Sequence, residues 1–165
     1  RSSVPLDVTH LGSISDLTII LALPNIQILT KDARDILPKE VEIKNFVANM
    51  ANACLIASAF STDNYELFSR SLKDIVIEPV RSKLIPGFEE VKAVAIEAGA
   101  DGMTISGAGP AVFAITNSKK KAPIIEDAMV RTFKKHGVKC KTLITTPSPK
   151  GSVQITTDDF DFFEH

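Results

Sequence analysis

The sequence predicts an α+β domain built on a mostly antiparallel sheet, and three observations carry that expectation. Short β-branched runs fall at both ends of the chain, at residues 16–23, 102–106, 111–116 and 139–145. Between the first run and the others lie several stretches with apolar residues at three- and four-residue steps, rather than a strict alternation of strand and helix. The 165 residues are 44% apolar and 24% charged, which suits one domain with its own core and is too short for two full domains.

Taken in order, a turn-rich start (RSSVPLDVTHLGSIS) leads into the apolar run at 16–23, which Pro24 stops and which reads as a buried central strand. Residues 25–29 continue extended to Thr30, whose hydroxyl is placed to cap a short helix over 31–37 ended by Pro38. A long helix follows over about 43–60, with Phe46, Val47, Met50, Ala51, Cys54, Ala57 and Ser58 on one stripe. Its alanines keep it narrow. Asp63 and Glu66 form a capping box for a helix over 64–73. A loop through Glu78-Pro79-Val80-Arg81 and Ile85-Pro86-Gly87 introduces a helix over 88–98 closed by Gly99.

The period then changes. Residues 102–106 and 111–116 read as strands joined by Gly107-Ala108-Gly109-Pro110. A helix over 122–136 presents Ile125, Met129 and Phe133 on one face and stops at Gly137. A strand at 139–145 and a short one at 151–156 complete the plan. Helices covering one face of an antiparallel sheet, with a split βαβ unit in the second half, make the expected architecture ferredoxin-like.

Composition excludes several roles. Nineteen basic against twenty acidic residues leave a net charge of -1, with no basic field for nucleic acid. Balanced charge and many branched aliphatics argue against disorder. The longest apolar stretch, LTIILALP, is far short of a bilayer span, and the start lacks a signal-peptide pattern, so no membrane association is expected. Cys54 and Cys140 stand far apart and read as buried small hydrophobes of a reducing, cytoplasmic setting, with one disulfide left open. Arg1 in place of methionine suggests a piece of a longer polypeptide. Lys119–Lys121 and the acidic end (Asp158, Asp159, Asp161, Glu164) read as solvated surface; Phe160, Phe162 and Phe163 read as packing on the core or a partner.

Two segments hold candidate chemistry. In Ser106-Gly107-Ala108-Gly109, glycines around a small residue leave backbone amides open to a ligand or to another stretch of backbone, although the local residues by themselves favour a purely structural hairpin connection. It is not a nucleotide loop, because no Walker lysine follows and GxGxxG is incomplete. Arg34 and Arg81 lie in proline-marked turns, TKDARDILP and IEPVR. Two guanidinium forks converging on one cleft would hold an anionic small molecule, whereas each alone fits a surface arginine paired with a nearby carboxylate. His10, His136 and His165 have no metal-ligand spacing, and no nucleophile elbow or HExxH is present, so neither catalytic nor metal-binding residues are assigned.

The segments LALPNIQILTKDARDILP, VANMANACLIASAF and IEPVRSKLIPGFEEVKAVAIEAGADGMTISGAGPAVFAIT resemble, in this order, the C-terminal half of homoserine kinases of the GHMP small-molecule kinase superfamily. ISGAGP before an apolar strand is superfamily-wide; EPVR-KLIPGF and TKDAR-ILP are narrower. The resemblance covers about residues 17–153. It implies transfer of the ATP γ-phosphoryl group to the hydroxyl of L-homoserine, giving O-phospho-L-homoserine on the route to threonine. It also implies that Arg34 and Arg81 grip the substrate carboxylate, that Gly107 and Thr30 line the pocket, and that Ser106, Gly107, Ala108 and Gly109 form the family's third motif.

The family's PxxxGLGSSAA phosphate loop and HGDNVAP-like segment do not occur in these residues. The resemblance therefore implies a single substrate-side domain over 1–165, with ATP and Mg²⁺ held by an N-terminal GHMP domain outside it. Neither cofactor is expected to bind this chain alone, which is expected to be inactive. The implied partners are L-homoserine, that N-terminal domain and a second copy in a homodimer; the implied location is the cytoplasm, or the plastid in a plant. Two other readings stay open: a domain of another GHMP kinase, and a stand-alone ferredoxin-like module that binds an amino acid for regulation.

Overall fold

A computed structural model of the chain describes residues 8–151. Four strands form one antiparallel sheet in the order β2-β3-β1-β4: β1 (Thr18–Pro24), β2 (Gly102–Ile105), β3 (Val112–Thr116) and β4 (Cys140–Thr145). The expected central strand is β1, which pairs Ile20 with Ala114 on one side and with Ile144 on the other. Because β3 and β4 both run antiparallel to β1, the β3–α6–β4 unit is a split βαβ, with α6 spanning Ala122–Lys135. The α+β class with its ferredoxin-like sheet is borne out. The short strand expected at 151–156, the acidic aromatic end and His165 lie outside the described residues.

Alternation along the strands sends residues to two faces. On one face Ile20, Ala22, Val112 and Ala114 meet Phe88, Val91 and Ala95 of α5 (Phe88–Glu97) and Ile125, Met129 and Phe133 of α6, all buried. On the other face, Ile115 joins Ile14, Leu17, Ala59 and Phe68 in a second cluster at one end of the sheet. That cluster is supplied by α2 (Ile43–Ser61) and α3 (Tyr65–Ser71), so helices flank this sheet end on both sides. Phe60 and Phe68 meet edge to face at 5.4 Å.

Four local expectations are corrected. In α2 the apolar stripe is bare over most of its length: Phe46, Val47 and Met50 are about half exposed, and Ala51, Cys54 and Ser58 are exposed with them. Only the C-terminal end, through Ala59 and its neighbours, reaches the sheet. Cys54 is therefore a surface thiol, and Cys140 a half-buried one; both are free. Asp63 does not cap α3. It sits at φ 49°, where its carboxylate accepts from the Ser15 amide at 2.7 Å, and Asn64 takes the cap by accepting from the Leu67 amide at 2.8 Å.

The third correction is at Thr30, the first residue of α1 (Thr30–Asp35), which follows Leu29 in the cap position. The fourth is the Glu78–Arg81 segment, read as loop, which closes into a one-turn helix, α4, and continues as a 3-10 turn over Ser82–Leu84. Pro79 falls in its first turn, where the missing N–H costs nothing and the fixed φ favours the helix.

Candidate substrate-binding site

The glycine-rich turn stands between β2 and β3. Its neck is closed by the Ser106 amide donating to the Ala111 carbonyl at 2.8 Å and by the Gly109 amide donating to the Ser106 carbonyl at 3.1 Å. Gly107 has φ 60° and Gly109 φ 80°, conformations that L side chains rarely adopt. The two glycines serve different ends. A Cβ on Gly107 would meet nothing within 4 Å, so the space beside its Cα is open; a Cβ on Gly109 would lie 3.3 Å from Ile105 and 3.5 Å from Ile85, with Ile28 at 3.9 Å. Gly109 is thus the point where three segments close in: the lead-in to α1, the turn after α4, and the end of β2.

Arg81 ends α4 and reaches the glycine turn, its Nη1 donating to the Gly107 carbonyl at 3.3 Å. Its Nε is buried and has no hydrogen-bond partner among the described residues. Ile85, 3% exposed, pins the following turn into the main core, and Gly87 at φ 76° then opens α5. Arg34 is exposed near the end of α1, and no hydrogen bond among the described residues joins it to Arg81 or the glycine turn. Its helix approaches the site through Ile28, which precedes α1 and lies 3.9 Å from where a Cβ on Gly109 would stand. Thr30 shares that helix, but its side chain lies outside what the structure describes. Of the candidate residues, the structure therefore brings Arg81 and Gly107 into contact.

Sequence reasoning passed over Glu78. Its carboxylate ion-pairs with Lys92 of α5 through Oε1, while Oε2 is buried without a partner among the described residues. The spacing of Glu78 and Arg81, three residues apart behind a proline, was the signal that could have found it. Behind α4 a cavity of about 390 Å³ is lined by Asp74, Glu78, Lys92, Asp101 and Met103. Asp74 is already committed, since its Oδ1 accepts from the amides of Val76 and Ile77 and so shapes the entry to α4. The Tyr65 hydroxyl donates to Asp101 at 2.5 Å; burial first, and then that carboxylate, push its pKa well above the usual phenol range.

His10 lies 3.2 Å from the Pro149 carbonyl, and His136 pairs with Glu90 at 2.8 Å. Among the described residues no group of three or more His, Cys, Asp or Glu side chains is gathered to hold a metal ion, and no helix is long and apolar enough to cross a membrane.

The profile of the family described as GHMP kinases C terminal matches residues 56–135, the stretch that contains α3, α4, the glycine turn and α6. The chain carries a GHMP kinase C-terminal domain. It is 42% identical over 135 residues to the homoserine kinase of Chloroherpeton thalassium, covering 82% of this chain and 42% of that protein. Over 123 residues it is 44% identical to the homoserine kinase of Methanococcus maripaludis, covering 74% of this chain and 39% of the relative. The crystal structure of homoserine kinase from Cytophaga hutchinsonii superposes with a TM-score of 0.84 at 37% identity, over 90% of this chain and 47% of that one. A putative homoserine kinase from Listeria monocytogenes shares the fold at TM-score 0.51 and 19% identity. This GHMP C-terminal chain thus spans less than half the length of the relatives it matches.

Proposed function

We propose that the chain is the substrate-side half of a homoserine kinase, which moves the γ-phosphoryl group of ATP to the hydroxyl of L-homoserine and yields O-phospho-L-homoserine for threonine synthesis. The observation that carries this reading is the contact between Arg81 and Gly107, because it sets a guanidinium fork beside main chain left open by glycine. An amino-acid substrate brings one permanent carboxylate, and a planar fork binds it through two parallel charge-assisted hydrogen bonds. Arg34, Thr30 and the rest of Ser106-Gly107-Ala108-Gly109 would complete the pocket. Arg34 would join by a rotation of its exposed side chain.

The 165 residues would form a single domain. ATP and Mg²⁺ would be held by an N-terminal GHMP domain, which supplies the γ-phosphate and the charge that stabilises its transfer. This chain on its own would bind neither and turn over nothing. The intact kinase would act in the cytoplasm, or in a plastid in a plant, as a monomer or a homodimer.

The test is a coupled assay for ADP release by the intact polypeptide with Mg²⁺-ATP and L-homoserine. Turnover that requires homoserine supports the reading. Turnover with mevalonate or a sugar in its place, and none with homoserine, overturns it in favour of another GHMP kinase.

A further inference from the structure

Two buried polar atoms on one turn of helix lack partners among the described residues and belong to groups of opposite charge. Glu78 Oε2 and Arg81 Nε belong to α4, three residues apart, a spacing that puts side chains on the same helix face. Leaving a carboxylate oxygen and a guanidinium N–H both desolvated and both unpaired is costly, so their persistence calls for a reason. Glu78 is held from behind, since its Oε1 takes the ammonium of Lys92. Arg81 is held at its tip, since its Nη1 spends a hydrogen bond on the neutral carbonyl of Gly107 at a long 3.3 Å. A ligand carboxylate would displace that weak bond in favour of a charge-assisted one.

We infer that Glu78 is the positioning residue for Arg81: when Arg81 leaves Gly107 to take a ligand carboxylate through its two Nη groups, its Nε–H turns to Glu78 Oε2, which fixes the plane of the fork. Lys92 balances the other oxygen of Glu78, so the positioning carboxylate does not cancel the charge that Arg81 offers to the ligand. The inference rests on the reading of Arg81 as the carboxylate-binding residue. Glu78 touches no substrate and acts only through Arg81.

The test combines kinetics of the intact kinase with NMR of the Arg81 Nε–H, assigned by its loss in Arg81→Lys. Glu78→Gln keeps the shape and removes the charge; it is expected to raise KM for homoserine about tenfold, with kcat and KM for ATP within about twofold. In an Arg81→Ala background the same substitution is expected to add nothing, because its effect has no other route. In the wild-type protein, which needs no altered chain to fold, L-homoserine or acetate as a bare carboxylate is expected to move the Nε–H resonance downfield; in Glu78→Gln that movement is lost. If homoserine is neither phosphorylated nor bound while acetate still moves the resonance in wild type alone, the proposed substrate fails and the role of Glu78 stands. If homoserine is turned over and Glu78→Gln leaves its KM unchanged, adds its effect in the Arg81→Ala background, or leaves the resonance shift intact, the role of Glu78 is overturned and the proposed substrate stands.

Discussion

Arg81 donates to the carbonyl of Gly107 across 26 positions of sequence, joining the one-turn helix α4 to the glycine-rich turn between β2 and β3. Both partners are held from outside the contact. Ile85, just after α4, is anchored in the core, and a Cβ on Gly109 would crowd Ile105, Ile85 and Ile28. The guanidinium is therefore presented by rigid elements, and its one bond to the turn is weak enough to be exchanged for a stronger one.

Removing that fork gives the most direct check on the proposed substrate. In the intact kinase Arg81→Ala should lower kcat/KM for homoserine by about 2 kcal/mol, roughly thirtyfold, chiefly through KM. Arg34→Ala should act in the same direction and leave KM for ATP near its starting value. Steady-state kinetics with each substrate varied in turn decides the matter. Unchanged homoserine kinetics in both variants would remove the arginines from the site.

Gly87 is required by conformation and by space at once. It has φ 76°, and a Cβ there would overlap the His136 ring. Gly87→Ala should cost about 2 kcal/mol, because backbone strain and displacement of the ring add. Pairing it with His136→Ala should recover the steric part and leave the strain, which thermal melts of the two single variants and the double variant resolve.

The second cluster and the bare helix predict unequal responses to loss of a phenylalanine. Phe68 is 5% exposed and packs against Phe60, so Phe68→Ala should cost about 3–5 kcal/mol. Phe46 is 52% exposed, and Phe46→Ala should stay within about 0.5 kcal/mol. Denaturant midpoints of the two variants give the comparison. Equal losses would mean that the α2 stripe is covered by something in solution.

Acid stability should depend on Glu90. Lys135 first and His136 next hold its carboxyl below the usual carboxylate value. A carboxyl whose pKa is lower folded than unfolded stabilises the native state above its unfolded pKa, and that contribution drains away as pH falls through the folded value. The ion pairs are solvent-exposed, so salt should weaken the effect. Melting curves taken from neutral pH downward should show a shallower acid-side decline in Glu90→Gln than in the wild type.

Thiol chemistry should separate the cysteines. Cys54 is exposed, whereas Cys140 is half-buried and its pKa is raised by burial and then by the charge of Glu126. A disulfide reagent at mildly alkaline pH should label Cys54 in a fast phase that vanishes in Cys54→Ser, with Cys140 following more slowly.

Much of this was legible along the chain because local rules carry it. The β-branched run stopped at Pro24, the α6 face of Ile125, Met129 and Phe133 with its stop at Gly137, and the Ser106–Gly109 turn obey periodicity and backbone conformation, which neighbouring residues set. Tertiary structure alone decided what faces what. Periodicity marks a stripe on α2 but does not say what lies opposite it, and only the packing of Ala59 against Ile115 shows that the helix is covered at one end and bare at the other. Spacing likewise placed Arg34 and Arg81 in turns without saying whether they meet. The sheet order that sets β3 between β1 and β2, and the core that pins Ile85, bring Arg81 to Gly107 and leave Arg34 exposed, because a contact between distant residues is settled by the path of the whole chain.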